Sequence, residues 1–151
     1  MATIRQRSLL FLSLTLISGG FAHASWEEIE QFEDGMRVYV LRESLQRDGE
    51  ISYLDHLVRW PEPQTGDDHA PYRSTRVHTA YHCEQKLERY VSSRSFAGVK
   101  GDGSVVLEDT EEAQVWFRVS DSAMEGKLWR LACAPAALHQ SPQTPPGGGK
   151  P

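Results

Sequence analysis

Two cysteines and a scatter of histidines and acidic residues are the chemically reactive groups of this sequence. Cys83 directly follows His82, a pair that gives an activated thiolate when the two side chains meet. Residues 72–83 alternate as a strand does, and neighbours in a strand point to opposite faces. His82 is therefore badly placed to activate the Cys83 thiol, and the sequence predicts no catalytic residue and no enzyme.

A metal site is the other chemistry that these residue types offer. The candidate ligands combine one histidine of a predicted strand with three residues of one loop: His56, Asp67, Asp68 and His69. His78 and His82 share a strand face, but about 13 Å of extended chain separates them, too far for one ion. Polar loop clusters are more often solvated. We expect no metal and no cofactor, and a metal-binding protein is the less favoured alternative.

The first 24 residues have the pattern of a secretory signal peptide. Arg5 and Arg7 precede a short apolar run over residues 9–17, and small residues around a cleavage point end at Ala24. We expect cleavage there, no membrane insertion of the mature protein, and a periplasmic or secreted location.

The compartment then predicts the state of the cysteines. Two cysteines behind a signal peptide indicate one disulfide, Cys83–Cys133. It would close a loop of about 50 residues, a constraint that contributes roughly 4 kcal/mol in the chain-entropy model. That is a large share of the stability of a small domain.

Length and net charge limit the number of domains and the kinds of binding partner. The chain has 151 residues, enough for one domain with a modest core. Its net charge is −5, and it becomes −7 when Arg5 and Arg7 are removed. A negative chain without a basic run is a poor candidate for binding nucleic acid or anionic lipid.

Periodicity predicts the elements that must position these residues. Alternating residues favour strands over residues 36–41, 51–60, 72–83, 105–107 and 115–119. Residues 26–32 and 86–96 each fit a strand or a helix, and the composition of 86–96 slightly favours the strand. Residues 61–71 are rich in proline, glycine and aspartate, which interrupt secondary structure, and this predicts a loop. Asp48-Gly49 predicts a hairpin turn. Ser122 and Glu125 form a capping box for a helix from about Ala123 to Cys133.

The strand over residues 72–83 has two distinguishable faces. We expect the face that carries Val77, Thr79, Tyr81 and Cys83 to join the core. The other face, Arg76, His78, Ala80 and His82, would then meet solvent. Its polar members Arg76, His78 and His82 are the candidate binding face.

The order of landmarks along the chain resembles a known family. The landmarks are Trp26, Val38-Tyr39-Val40, Tyr72-Arg73-Ser74 leading into a strand that ends in cysteine, Gly101-Asp102-Gly103, Trp116, a helix starting at Ser122, and Cys133. This order is similar to that of the surface-adhesin protein E-like family of bacterial envelope proteins. The resemblance implies an antiparallel sheet with a C-terminal helix, a non-enzymatic role in binding host matrix proteins or envelope components, and homodimers.

Together these observations predict an α+β fold, an antiparallel sheet of about five to six strands with a C-terminal helix packed on it and one disulfide. The expected organisation is a signal peptide over 1–24, a surface-adhesin protein E-like domain over 25–135, and a disordered Pro/Gly-rich tail over 136–151. The expected function is that of an exported, adhesin-like module that binds proteins through its sheet. The alternative is a structural periplasmic protein of the cell envelope.

Overall fold

The structure is a computed structural model that describes residues 25–121 and 123–135. The described residues form seven strands and one helix: β1 Trp26–Gln31, β2 Arg37–Asp48, β3 Ile51–Gln64, β4 Tyr72–His82, β5 Leu87–Phe96, β6 Val105–Asp109, β7 Phe117–Arg118 and α1 Met124–Cys133. Strands β1 to β6 are antiparallel neighbours in chain order, and the short β7 pairs with β5. The predicted fold class is confirmed.

The long central hairpin sets the register of the sheet. Strands β2 and β3 meet at a turn in which Gly49 has a φ of 59°, a conformation that favours glycine. Next to the turn, Asp48 pairs with Ile51. Strand β2 therefore runs well past the apolar stretch that ends at Leu41, because its polar half is held by pairing with β3.

Strand β3 extends into the segment that the sequence analysis expected to be a loop. Residues 61–64 belong to the strand, so the predicted loop over 61–71 is wrong at its start. The register between β3 and β4 shifts between Arg59 and Gln64. Proline lacks the N–H that a regular ladder needs, and such an irregularity tolerates Pro61 and Pro63.

The other boundaries lie close to the sequence expectations. Residues 26–31 form a strand rather than a helix, and the predicted strand over 115–119 shortens to Phe117–Arg118. Helix α1 begins at Met124 after Ala123 in an extended conformation. Ser122 lies outside the described residues, so its capping box stays a prediction.

One face of the sheet is covered by the helix. Leu128 and Ala132 of α1 pack against Val40, Leu54 and Tyr81 of β2, β3 and β4, and all five are buried. Burying such side chains is the main driving force for docking the helix.

The predicted disulfide ties the helix to the sheet. Cys83, directly after β4, is bonded to Cys133 in the last turn of α1, with the two Cα atoms 5.4 Å apart. Arg47 of β2 reaches the same end of the helix and donates to the carbonyl oxygens of Ala132 and Ala134. The helix C-terminus is thus held by a covalent bond and by a cation that complements its dipole.

Within residues 25–121 and 123–135, the opposite face is covered at its two ends and open between them. At one end, the Ser74 hydroxyl donates to the Gly98 carbonyl at 2.7 Å and accepts from the Gly101 N–H at 3.0 Å, so the β5–β6 loop folds over this face. At the other end, the Trp116 ring lies 4.6 Å from the Arg89 guanidinium. The middle of this face is an open groove.

No helix among the described residues has the length and apolar character needed to cross a membrane.

Candidate functional site

The floor of the groove is organised by a buried carboxylate. Asp55 of β3 accepts hydrogen bonds from Arg76 Nε at 3.0 Å and from His78 Nδ1 at 2.6 Å, and Arg76 Nη2 contacts it as well. The register explains the meeting, because Asp55 and His78 are direct cross-strand partners and Arg76 is the next residue on the same face. The site is therefore built by two central strands rather than by a loop.

The hydrogen bonds decide the charge of this carboxyl group. Burial by itself raises the pKa of Asp55, but the hydrogen bonds from His78 and Arg76, with the charge of Arg76, outweigh burial and leave the pKa below its usual value. An ionised carboxylate can only accept, so the proton between the two groups is on His78 Nδ1. Nε2 of the His78 ring remains for other contacts.

The ring of His78 is held by a stacking contact in addition to its hydrogen bond with Asp55. Tyr53, also on β3, stacks on it with ring centroids 5.6 Å apart and planes within 9°. A stacked aromatic and a charge-assisted hydrogen bond together leave the imidazole little freedom. His78 is thus held in one orientation.

A second arginine continues the row of charges across the sheet. Arg94 of β5 is the cross-strand partner of Arg76, and its Nε and Nη2 lie 2.6 Å from a carboxylate oxygen of Glu108 on β6. The order across four strands is therefore acid, base, base, acid, with the two arginines as cross-strand partners at its centre.

The groove above this row has a volume of about 330 Å³. Besides the charged groups, its lining contains the side-chain amide of Gln46 and the hydroxyl-bearing residues Ser92, Ser93 and Thr110. It is open to solvent and polar. Such a lining suits hydrogen bonding to a polar group of a ligand better than burial of an apolar one.

The predicted binding face is only partly assembled at the groove. Arg76 and His78 line it, whereas the His82 side chain is 16% exposed, 3.4 Å from Glu50 and beneath the Trp116 ring. The expectation that Ala80 meets solvent is wrong, since this residue is fully buried. Arg89 is the cross-strand partner of Ala80, and its guanidinium group contacts the Trp116 ring, which covers this end of the face.

The candidate metal ligands do not meet in a site. Within residues 25–121 and 123–135, no three His, Cys, Asp or Glu side chains are grouped so as to hold a metal ion. His69 instead packs against Tyr72 and lies 3.9 Å from Asp68. His56 is buried in the helix-covered face, and burial lowers its pKa to about 4.

The sequence analysis did not identify the other charged residues of the groove, which are Asp55, Arg94 and Glu108. Asp55 belongs to the alternating run over 51–60, where it reads as one polar residue on a strand face. Only the β3–β4 register places it opposite His78. That register depends on a connection containing an irregularity, which the sequence pattern does not reveal.

The fold and the groove together define the structural class of this protein. This is a two-layer α+β domain in which one antiparallel sheet carries a disulfide-tethered helix on one face and a polar groove on the other. The family model of surface-adhesin protein E matches residues 26–134. The chain belongs to the surface-adhesin protein E family.

Solved structures support the same fold. Crystal form II of Haemophilus influenzae protein E is similar with a TM-score of 0.58 and 13% sequence identity, over 81% of this chain and 97% of that one. Another structure of Haemophilus influenzae protein E gives a TM-score of 0.59 and 14% identity, over 79% and 91%. Protein E from non-typeable Haemophilus influenzae gives 0.54 and 15%, over 80% and 83%. A comparison with curated proteins gave no significant match.

Proposed function

We propose that this chain is an exported, non-enzymatic binding protein that docks a protein partner on the groove-bearing face of its sheet. The partners that fit the family are host matrix proteins or components of the bacterial envelope. The observation that carries the proposal is the polar groove, lined by Arg76 and His78, on the sheet face that the helix leaves open in a surface-adhesin family member.

The state of the polar groups supports binding rather than catalysis. Asp55 and His78 are arranged like the acid and base of a catalytic triad. Among the described residues, however, His78 forms no hydrogen bond to a hydroxyl group that could serve as the nucleophile. Asp55 is also occupied by Arg76, so its charge is already neutralised in the resting protein.

Export is supported by two independent features. The pattern over residues 1–24 is that of a signal peptide, although it lies outside the described residues. The Cys83–Cys133 disulfide suits an oxidising compartment. Both features support a periplasmic or secreted location, and the homodimer that the resemblance implies stays a prediction for sedimentation analysis.

The test is saturable binding measured by surface plasmon resonance. The protein, purified from the exported fraction, is immobilised and exposed to a panel of purified host matrix proteins and purified envelope proteins. We expect at least one saturable partner, and weakening of its binding by about tenfold in Arg76→Gln, since a charge-assisted contact is lost.

Arg37→Gln is the matched control. Arg37 also pairs with a glutamate on a neighbouring strand, Glu28 at 3.1 Å, but it lies outside the groove lining. Thermal unfolding checks that Arg76→Gln is folded, and Arg94→Gln replaces it if it is not. Absence of any saturable partner, or equal weakening by Arg37→Gln, would contradict the proposal.

A further inference from the structure

We infer that the groove is a carboxylate-binding site, in which Arg76 and Arg94 together bind one acidic side chain of a protein partner. The inference rests on the proposed function and gives the docking face its chemistry. It assigns a role to Arg94, which the sequence pattern did not single out.

The first argument is the direct pairing of two like charges. Arg76 and Arg94 are cross-strand partners on β4 and β5. Like charges at such positions repel and destabilise a sheet. Asp55 and Glu108 pair with the two arginines from the outer strands β3 and β6, and neither acid lies on β4 or β5. An anion that contacts both arginines would offset the repulsion that remains between them.

The second argument is the supply of unused donors. Arg76 and Arg94 each engage their own carboxylate through Nε and Nη2. Within the described part of the chain, Nη1 of both arginines has no hydrogen-bond acceptor. Two guanidinium groups with free donors over one groove match the two oxygens of a carboxylate.

The third argument is preorganisation. Asp55 and Tyr53 fix Arg76 and His78 before any ligand arrives, so little side-chain entropy remains to be lost on binding at this end of the groove. The hydroxyl-bearing residues Ser92 and Thr110 lie in the same lining and supply neutral donors. These features distinguish the groove from a chance pair of surface arginines.

The surrounding charge favours one carboxylate over a sulfated polymer. The chain has a net charge of −5, Glu108 lines the groove, and Glu111 and Glu112 a few residues later are exposed. A polyanion would meet repulsion beyond the two arginines, whereas a single carboxylate on an otherwise neutral or basic surface would not. The partner chemistry is therefore an isolated acidic residue of a protein.

The test is a titration of the folded full chain followed by NMR at the Nε–H resonances of Arg76 and Arg94. The probes are capped aspartate (acetyl-Asp-N-methylamide), capped asparagine as the neutral match, and a heparin hexasaccharide as the sulfated polymer. We expect saturable shifts of both resonances with capped aspartate and none with capped asparagine. Arg94→Gln should weaken this binding by about tenfold, and Arg37→Gln should leave it unchanged.

The inference would be overturned by no saturable shift of the two arginine resonances, by equal binding of capped asparagine, or by unchanged affinity in Arg94→Gln. Tighter binding of the heparin hexasaccharide at the same resonances would replace the carboxylate with a sulfated ligand and also overturn it. The proposed function fails separately. If partner binding needs the groove but capped aspartate does not bind, only the present inference falls.

Discussion

The two faces of the sheet differ in character although the same strands build both: one face is buried under the helix, and the other carries the polar groove. On the helix-covered face, β3 and β4 present Leu54 and Tyr81 to Leu128 of the helix, and all three are buried. On the other face, the same two strands present Asp55 and Arg76 to an open groove. Adjacent residues along a strand point to opposite faces, so one pair of strands supplies both the core and the candidate site.

The comparison shows where the stability of this domain lies. The helix face combines apolar burial with a covalent link between Cys83 and Cys133. The opposite face also buries Leu57 and Ala80, but the contacts in the groove itself are ion pairs, of which Arg94–Glu108 is largely exposed and contributes little free energy. Substitutions on the helix face should therefore affect folding, and those in the groove should affect binding.

The largest effect is expected from removal of the disulfide. The double substitution Cys83→Ser/Cys133→Ser frees a connection of 50 residues in sequence, and we expect a loss of about 4 kcal/mol in unfolding free energy. Urea denaturation followed by tryptophan fluorescence measures it. A loss below about 1 kcal/mol would mean that packing alone holds the helix.

The next effect is a pH dependence that originates on the helix face. His56 is buried, and burial lowers its pKa to about 4 from 6.5. Between pH 4 and pH 6.5 this histidine is therefore protonated in the unfolded chain and neutral in the folded protein. Stability is full above pH 6.5 and decreases as the pH falls toward 4, by about 3 kcal/mol at most. Urea denaturation at a series of pH values measures the slope.

His56→Leu is the matched variant, since it removes the titrating group and keeps an apolar volume. Glu88 titrates in the opposite direction, because burial and then the charge of Glu125 raise its pKa to about 6 from 4.5. Protonation of Glu88 stabilises the folded state as the pH falls through this range. We therefore expect the slope to change sign in His56→Leu. An unchanged slope would contradict the assignment to His56.

The smallest effect is expected for stability on the groove face. The Arg94 side chain is 58% exposed, and exposed ion pairs contribute little. Arg94→Gln should change the unfolding free energy by less than about 0.5 kcal/mol while it weakens carboxylate binding. A loss above about 2 kcal/mol would show that the groove face also holds the fold together.

Much of the fold could be predicted from the sequence because the patterns that indicate its strands, turn and helix are local. Strand β4, the Gly49 turn and the helix each have a pattern that can be read within a dozen residues. The polar end of β2 and the start of the 61–71 segment were not predictable, because their strand conformation depends on pairing with neighbouring strands.

The site was accessible only in part, for the same physical reason. Arg76 and His78 lie on one strand, so alternation alone places them together. Asp55 and Arg94 join them through the registers of β3–β4 and β4–β5, and each of those pairings contains an irregularity. A one-residue error in register would have turned either residue to the other face.

The most direct measurement of the central claim blocks the two faces separately. A cysteine at position 92 in the groove (Ser92→Cys), or at position 127 on the helix (Lys127→Cys), is coupled to a bulky polyethylene glycol maleimide. Saturable binding of the same matrix or envelope protein is then compared. We predict that the label at position 92 abolishes binding and the label at position 127 leaves it intact. Binding that survives the groove label, or is lost with the helix label, would contradict the account.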